Sequence, residues 1–454
     1  MLDRAKRRRT RKAGFAGWPV QANLGWPLVA LLFVALVFGG GGVGPGLANA
    51  TVQLAALALL LLVPGSKKGK IHGRPKVLLA LVAATFAVPL LQLVPLPPGV
   101  WQQLPGRTLA AESFALIERE DVWFPLSLDR LRTLAAVFAL LGPLAVLHRF
   151  RGDTHDGVAA GLLVIVGLAT THFLFGALQY ALDDLYLYGD TVEKRFFGFF
   201  ASHNTSGLFL IVGLTALVGY DRMSKAGSGQ RLGHLLLAIL LVFAVILTRS
   251  RSSTTLLLVP LGFFALYALG DLRRASGRKR LIVLGSIAII AAFVAGLAAT
   301  NDRLGATWQR YADLEDSRPL IWEDTLYAID RYWPVGGGVG TFDEVFQVDE
   351  SLEYLAPPRV GRAHNDYLEV TLESGILGVA VLAAWFLYLA IEWWRRRASA
   401  YAPAVHAAGI SLLCIAVQAL VDFPLRNVAL LTVAGLLIAL LTAPGTIKRD
   451  RSFA

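Results

Sequence analysis

In the C-terminal third of the chain, Arg362-Ala363-His364-Asn365-Asp366-Tyr367-Leu368-Glu369 places an imidazole, an amide, two carboxylates and a guanidinium just ahead of a long apolar run, with Arg359 close by. An imidazole is largely neutral at pH 7, so His364 is a candidate general base for an attacking hydroxyl. A lone histidine serves equally well to cap or to pack. Asp366, Glu369 and Glu373 would share one face of a helix, which suits a divalent cation. Acids in a first helical turn are also favoured by the helix dipole alone.

Other polar islands interrupt apolar sequence. Arg249 and Arg251, in Leu247-Thr248-Arg249-Ser250-Arg251-Ser252-Ser253-Thr254, have apolar segments on both sides. Arginine at membrane depth is costly unless it snorkels or meets an anion. A lipid phosphate would satisfy the pair, and so would a substrate diphosphate, which a planar guanidinium grips in a bidentate way. In Ser317-Arg318-Pro319-Leu320-Ile321-Trp322, proline in the first turn leaves backbone amides unsatisfied, an anion seat with Arg318 beside it; a solvated surface arginine is the plainer alternative. His203 and Asn204 open another apolar run, where capping accounts for them. Asp422-Phe423-Pro424-Leu425-Arg426 breaks the chain between two apolar segments and reads as a structural Asp/Arg turn.

The elements that must position these groups follow from composition. A 454-residue chain that is 55% hydrophobic and 17% charged, with a mean hydropathy of +0.57, has too much apolar surface for one soluble core, so bilayer must replace water around it. Runs near the about 20 residues that cross about 30 Å of hydrocarbon occur at 24–42, 48–63, 76–95, 130–147, 157–180, 203–220, 232–248, 253–270, 281–299, 375–392, 402–421 and 427–443, which makes twelve candidate spans. The second is short and follows Gly39-Gly40-Gly41-Gly42, so the first two could form a re-entrant pair.

Lysine and arginine resist translocation and so act as a compass. Alternate connections hold 28 of the 43 basic residues but only seven of the 32 acidic ones, which puts both termini in the cytoplasm and makes the basic N-terminal stretch the flank of an uncleaved first span. The net charge of +11 is thereby a topology signal, and no nucleic-acid partner is needed to explain it. The single cysteine, Cys414, excludes an intrachain disulfide and a cysteine metal site.

Two outer segments exceed simple turns, 96–129 and 300–374, so the chain divides into an N-terminal membrane region (1–299), an outer loop domain (300–374) and a C-terminal membrane region (375–454). Within the loop domain, Trp322, Leu326, Ile329 and Trp333 fall on one helical face, with Glu323, Asp324, Asp330 and Arg331 on the rest. That face suits a helix lying on the membrane surface or one packed on its own domain. Pro334-Val335-Gly336-Gly337-Gly338-Val339-Gly340 forbids a stable helix; lacking a following Lys-Ser or Lys-Thr it is no nucleotide loop, and a flexible connection is expected.

Taken together, these stretches resemble the O-antigen ligase and polymerase superfamily of bacterial membrane glycosyltransferases. The resemblance spreads over most of the chain: Trp101 after the third span, Pro125-Leu126-Ser127-Leu128, Phe199-Phe200-Ala201-Ser202-His203-Asn204, Ser250-Arg251-Ser252, Arg318 to Trp322, Pro334 to Gly340, His364 to Glu369, and Val421-Asp422-Phe423-Pro424. It implies an all-α polytopic fold of about twelve transmembrane helices, GT-C-like, with a large periplasmic loop between helices 9 and 10, in the bacterial inner membrane. It further implies a donor glycan on undecaprenyl diphosphate and an acceptor that is lipid A core or a growing polysaccharide, with no metal and no cofactor.

On the same basis Arg251 and Arg318 hold the donor diphosphate, with Arg249 a neighbour of less defined role, and His364 is the base. Asn365, Tyr367 and Asn204 support them. Ser252 stands where many members have glycine, so the local backbone is expected to differ. Within the superfamily a ligase is favoured over a repeat-unit polymerase and a protein O-oligosaccharyltransferase. A lipid-linked glycan transporter would carry charges in the middles of its spans and an internal repeat, and the chain has neither.

Overall fold

A computed structural model of the protein describes residues 24–42, 46–63, 75–150, 152–188, 195–224, 226–274, 277, 318–352 and 359–444. The candidate span at 281–299, the first part of the outer loop and the basic stretches at 1–23, 64–74, 278–280 and 445–454 lie outside the described residues.

The fold is helical. The helices are α1 (Trp26–Phe38), α2 (Gly46–Leu62), α3 (Lys76–Gln92), α4 (Pro98–Trp101), α5 (Thr108–Leu116), α6 (Arg130–Ala139), α7 (Leu141–Arg149), α8 (His155–Leu182) and α9 (His203–Met223). They continue with α10 (Ser228–Leu247), α11 (Arg251–Leu256), α12 (Leu258–Arg274), α13 (Arg318–Tyr332), α14 (Phe342–Phe346), α15 (Asp366–Arg396), α16 (Ala402–Gln418) and α17 (Val428–Leu441). Two short strands, β1 (Pro95–Leu96) and β2 (Phe124–Pro125), pair antiparallel.

Eleven of the twelve apolar runs are thus helices, the twelfth being the one outside the described residues. Six helical stretches among the described residues are long and apolar enough to cross a membrane: Arg130–Arg149, His155–Leu182, His203–Met223, Ser228–Leu247, Arg251–Gly270 and Asp366–Arg396. The others are shorter. At 13 residues, α1 extends only about 20 Å.

The central pillar is α9, buried along nearly its whole length. Ser202 caps it, its side chain accepting from Thr205 N at 3.4 Å. Glycines let three neighbours approach it closely, as small residues do between apolar helices. A Cβ at Gly207 would fall 2.6 Å from Ser253, one at Gly213 2.2 Å from Ala169, and one at Gly219 2.7 Å from Ala407, on α11, α8 and α16 respectively.

Polar contacts between connections gather at the two ends of the bundle. At one end, the Gly40 carbonyl accepts from Ala201 N (3.0 Å) and Asn427 Nδ2 (2.8 Å), and Gln92 Nε2 donates to the Glu373 carbonyl (2.9 Å). At the other, Arg149 caps the end of α2 through the carbonyls of Leu59 (2.6 Å) and Val63, and Arg396 reaches the Ala443 carbonyl.

The 334–340 segment is not the flexible connection expected of its glycines. Gly337 N donates to the Leu372 carbonyl, Gly338 N to that of Glu373, and Leu128 N to the Gly337 carbonyl, each at 2.9 Å. Arg107, fully buried, donates to the carbonyls of Gly336 (3.0 Å) and Leu126, and its burial lowers its pKa to about 10. The glycines serve close approach: at Gly338, φ is +118° and a Cβ would sit 2.5 Å from Ser127 Oγ.

The face by which α13 packs on its own domain is offset from its apolar one. Thr325, Ala328 and Tyr332 are buried with Phe342, Phe346 and Leu372, because small Ala328 and Thr325 admit close packing there. Leu326 and Trp333 remain exposed, while Asp324, expected on the polar remainder, is buried and accepts from Ser351 Oγ at 2.6 Å.

Candidate functional site

His364 lies where the chain enters α15. Asn365 caps that helix, its Oδ1 accepting from Tyr367 N (3.0 Å) and Leu368 N (3.2 Å). To reach the cap, His364 adopts φ +50°, a left-handed conformation that costs a residue other than glycine roughly 1–3 kcal/mol. Its neighbours hold it there. Trp322 Nε1 donates to the Ala363 carbonyl at 2.9 Å, Ala363 N donates to Glu369 Oε1 at 3.0 Å, and Asp366 N donates to the Ala419 carbonyl at 2.9 Å.

The imidazole packs on Phe423, ring centres 5.0 Å apart. Its Nδ1 is buried 3.6 Å from Oδ1 of Asp422, itself buried, while 38% of the histidine side chain stays exposed. At that distance the contact is electrostatic and longer than a hydrogen bond. One ring nitrogen therefore faces a fixed carboxylate, and the exposed part of the ring is left for a substrate.

The three acids of α15 meet guanidiniums. Glu373 Oε2 lies 2.7 Å from Arg426 Nη2, Glu369 Oε2 3.3 Å and Asp366 Oδ1 3.5 Å from Arg426 Nε, and Glu369 also takes Arg362 at 2.9 Å. Burial alone would lower the pKa of Arg426, but the surrounding carboxylates raise it above the ordinary arginine value. The face considered for a divalent cation is thus taken up by Arg362 and Arg426. The expected Asp/Arg turn at 422–426 is replaced by two separate partnerships, Asp422 with His364 and Arg426 with α15.

Arg249 and Arg251 flank the break between α10 and α11. Arg249 has φ +56°, and Ser250 caps α11, its Oγ accepting from Ser253 N at 3.2 Å and donating to Asn204 Oδ1 at 2.7 Å. Ser253 Oγ donates to the Asn204 carbonyl at 3.1 Å, so Asn204 ties the start of α9 to the arginine-bearing break. Ser252 has a use of its own: its hydroxyl accepts from Gln418 Nε2 at 2.8 Å, joining α11 to α16.

The stretch 418–422 brings the islands to one end of the bundle. Gln418 touches Ser252, Ala419 binds Asp366 N, and Asp422 meets His364. Trp322, about one turn from Arg318 on α13, is bonded to Ala363. Arg251, Arg318 and His364 thus stand at the starts of α11, α13 and α15, which these contacts link. Tyr367 is a tie, its hydroxyl donating to the Ala416 carbonyl at 2.7 Å. Sequence reasoning missed Gln418 and the partnerships of Trp322 and Asp422. The only local signal was an acid in a chain break between apolar segments.

Residues 236–383 match a family model described as O-antigen ligase, a stretch that includes Arg249, Arg251, Arg318, His364, Asn365 and Tyr367 and leaves Asn204 and Asp422 outside. No curated protein matches the chain. Apolar helices and this match together fit a membrane protein.

Proposed function

We infer that the chain belongs to the O-antigen ligase and polymerase superfamily, a reading the match over residues 236–383 supports, and that it is a glycosyltransferase-like enzyme acting on lipid-linked glycans. We propose that it moves a glycan from undecaprenyl diphosphate to a sugar hydroxyl of lipid A core at the periplasmic face of the inner membrane, by a single displacement with inversion and without a metal. The observation that carries this reading is the linkage of Arg251, Arg318 and His364 through Trp322 and residues 418–422 at one end of the bundle.

In the proposed reaction the acceptor oxygen forms a bond to the anomeric carbon as the bond from that carbon to the diphosphate oxygen breaks. The hydroxyl proton passes to His364, and undecaprenyl diphosphate leaves with the bonding electron pair. Charge grows on the diphosphate as it departs, and Arg251 and Arg318 stabilise it there, with Arg249 beside them. Asp422, facing Nδ1, favours the tautomer with its proton on that nitrogen, leaves Nε2 to accept, and stabilises the imidazolium that forms. Asn365 sets the histidine backbone through its cap, Asn204 sets the arginine break, and Tyr367 fixes the start of α15 against α16.

The test is transfer by purified protein in nanodiscs from a defined undecaprenyl-diphosphate glycan to lipid A core. His364→Ala and Arg318→Ala are each expected to lose about 100-fold or more in rate, the span of general acid–base and oxyanion terms, with unchanged membrane insertion. Normal transfer by both variants would overturn the assignment. In cells, a deletion strain of a ligase loses capped core entirely, whereas core carrying one repeat unit would mark a polymerase instead.

A further inference from the structure

Between α2, α3, α6, α7, α15, α16 and α17 lies a cavity of about 650 Å³ that the proposed reaction does not use. That volume falls within the range of sites that enclose small ligands, about 300–1,000 Å³. Its polar end is formed by Asn49, Arg132, Arg362, Asp366, Glu373 and Arg426, at the same end of the bundle as His364. From there it runs along α15 from Asp366 to Leu389, about 35 Å of helix, between apolar walls that include Phe86, Leu147, Trp385 and Ile438. A polar mouth over a long apolar shaft is the shape of an amphiphile.

The charges at the mouth select the head group. Arg132 is paired with Glu344 at 2.9 Å, Arg362 with Glu369 at 2.9 Å, and Arg426 with Glu373, Glu369 and Asp366. Three guanidiniums therefore face four carboxylates, and a diphosphate would enter with no surplus positive charge to meet it. Hydrogen-bond acceptors are in excess instead. Asn49, 8% exposed, uses its amide N–H on the Gly42 carbonyl at 2.6 Å, and its buried Oδ1 has no donor among the described residues. Asp366, 7% exposed, has its buried Oδ1 in an ion pair with Arg426 Nε at 3.5 Å and likewise without a hydrogen-bond donor there. Acceptors of this kind are satisfied by hydroxyl groups.

We propose that the cavity seats an apolar chain of a glycolipid, with uncharged sugar hydroxyls at the Asn49–Asp366 mouth. The diphosphate donor belongs to the arginine-bearing starts of α11 and α13, none of which lines this cavity.

The test uses the full chain in phosphatidylcholine nanodiscs and a dodecyl glucoside probe with a diazirine at the chain end. Irradiation is expected to label peptides around Ala139, Ser374 and Ala434, which a twelve-carbon chain reaches from the mouth, saturably and with displacement by excess unlabelled dodecyl glucoside. A dodecyl phosphate probe of the same length should label at least tenfold less. Ala136→Phe and Leu431→Trp, which fill the shaft from different walls, should each lower glucoside labelling at least tenfold while the protein elutes as a single species. Equal or stronger labelling by the phosphate probe overturns the head-group assignment. Labelling that does not saturate and is matched by a diazirine phosphatidylcholine shows ordinary bilayer lipid and overturns the site. The readout needs no turnover, so a protein that transfers nothing still tests the cavity.

Discussion

Asp422, in the proposed reaction, decides which nitrogen of His364 is offered to the acceptor, because its buried carboxylate faces Nδ1 and part of the ring stays exposed. On the proposed mechanism Asp422→Asn therefore keeps the fold and the donor clamp but loses the preferred tautomer. Its kcat should fall about ten- to hundredfold, part of the whole contribution of acid–base catalysis, with KM nearly unchanged; an unaltered kcat would remove Asp422 from the reaction. Arg251→Lys keeps the charge and loses the fork. The expected loss in kcat/KM is about 10- to 100-fold, matching one charge-assisted hydrogen bond of about 1.5–3 kcal/mol, and full activity would deny Arg251 a bidentate role.

At the scale of elements, the start of α15 is held from two sides. Arg426 is the counter-charge of three buried carboxylates, so Arg426→Gln leaves Asp366 and Glu373 uncompensated, while Glu369 keeps Arg362. Removing one partner from a buried ion-pair cluster costs about 3–5 kcal/mol, and a lowered melting temperature in detergent would report it. On the other side, α15 bends at Gly375, where φ is +55° and a Cβ would fall 2.0 Å from the Pro334 carbonyl oxygen. Gly375→Ala should thus lose at least about 1–3 kcal/mol to strain and overpacking. Gly361→Ala, at a position with open space around it, is the control that should leave the melting temperature unchanged.

For the whole molecule, the grouping of connections at two ends predicts sidedness, which single cysteines can read in a Cys414→Ser background. Glu120→Cys and Gly361→Cys, both exposed at the end that carries His364, should react with an impermeant maleimide in spheroplasts. Gly227→Cys and Ala398→Cys, exposed at the opposite end, should react only after the membrane is broken. Labelling of positions 120 and 361 from opposite sides would dismantle the proposed site.

Helical spans and polar islands were legible along the chain, because hydropathy is a sum over consecutive residues and an arginine between apolar runs stands out locally. Partnerships were not legible. His364 with Asp422, Arg426 with Glu373 and Gln418 with Ser252 join residues far apart in sequence, and a carboxylate reads the same whether it will face a cation, an imidazole or water. Glycines 336 to 338 misled for a related reason: absence of a side chain permits motion in isolation but allows backbones to touch once neighbours arrive, and those neighbours, Ser127, Leu372 and Glu373, come from elsewhere in the chain. Local chemistry therefore announced which groups were available, while three-dimensional packing chose what each one meets, since energies of burial and pairing depend on distance through space.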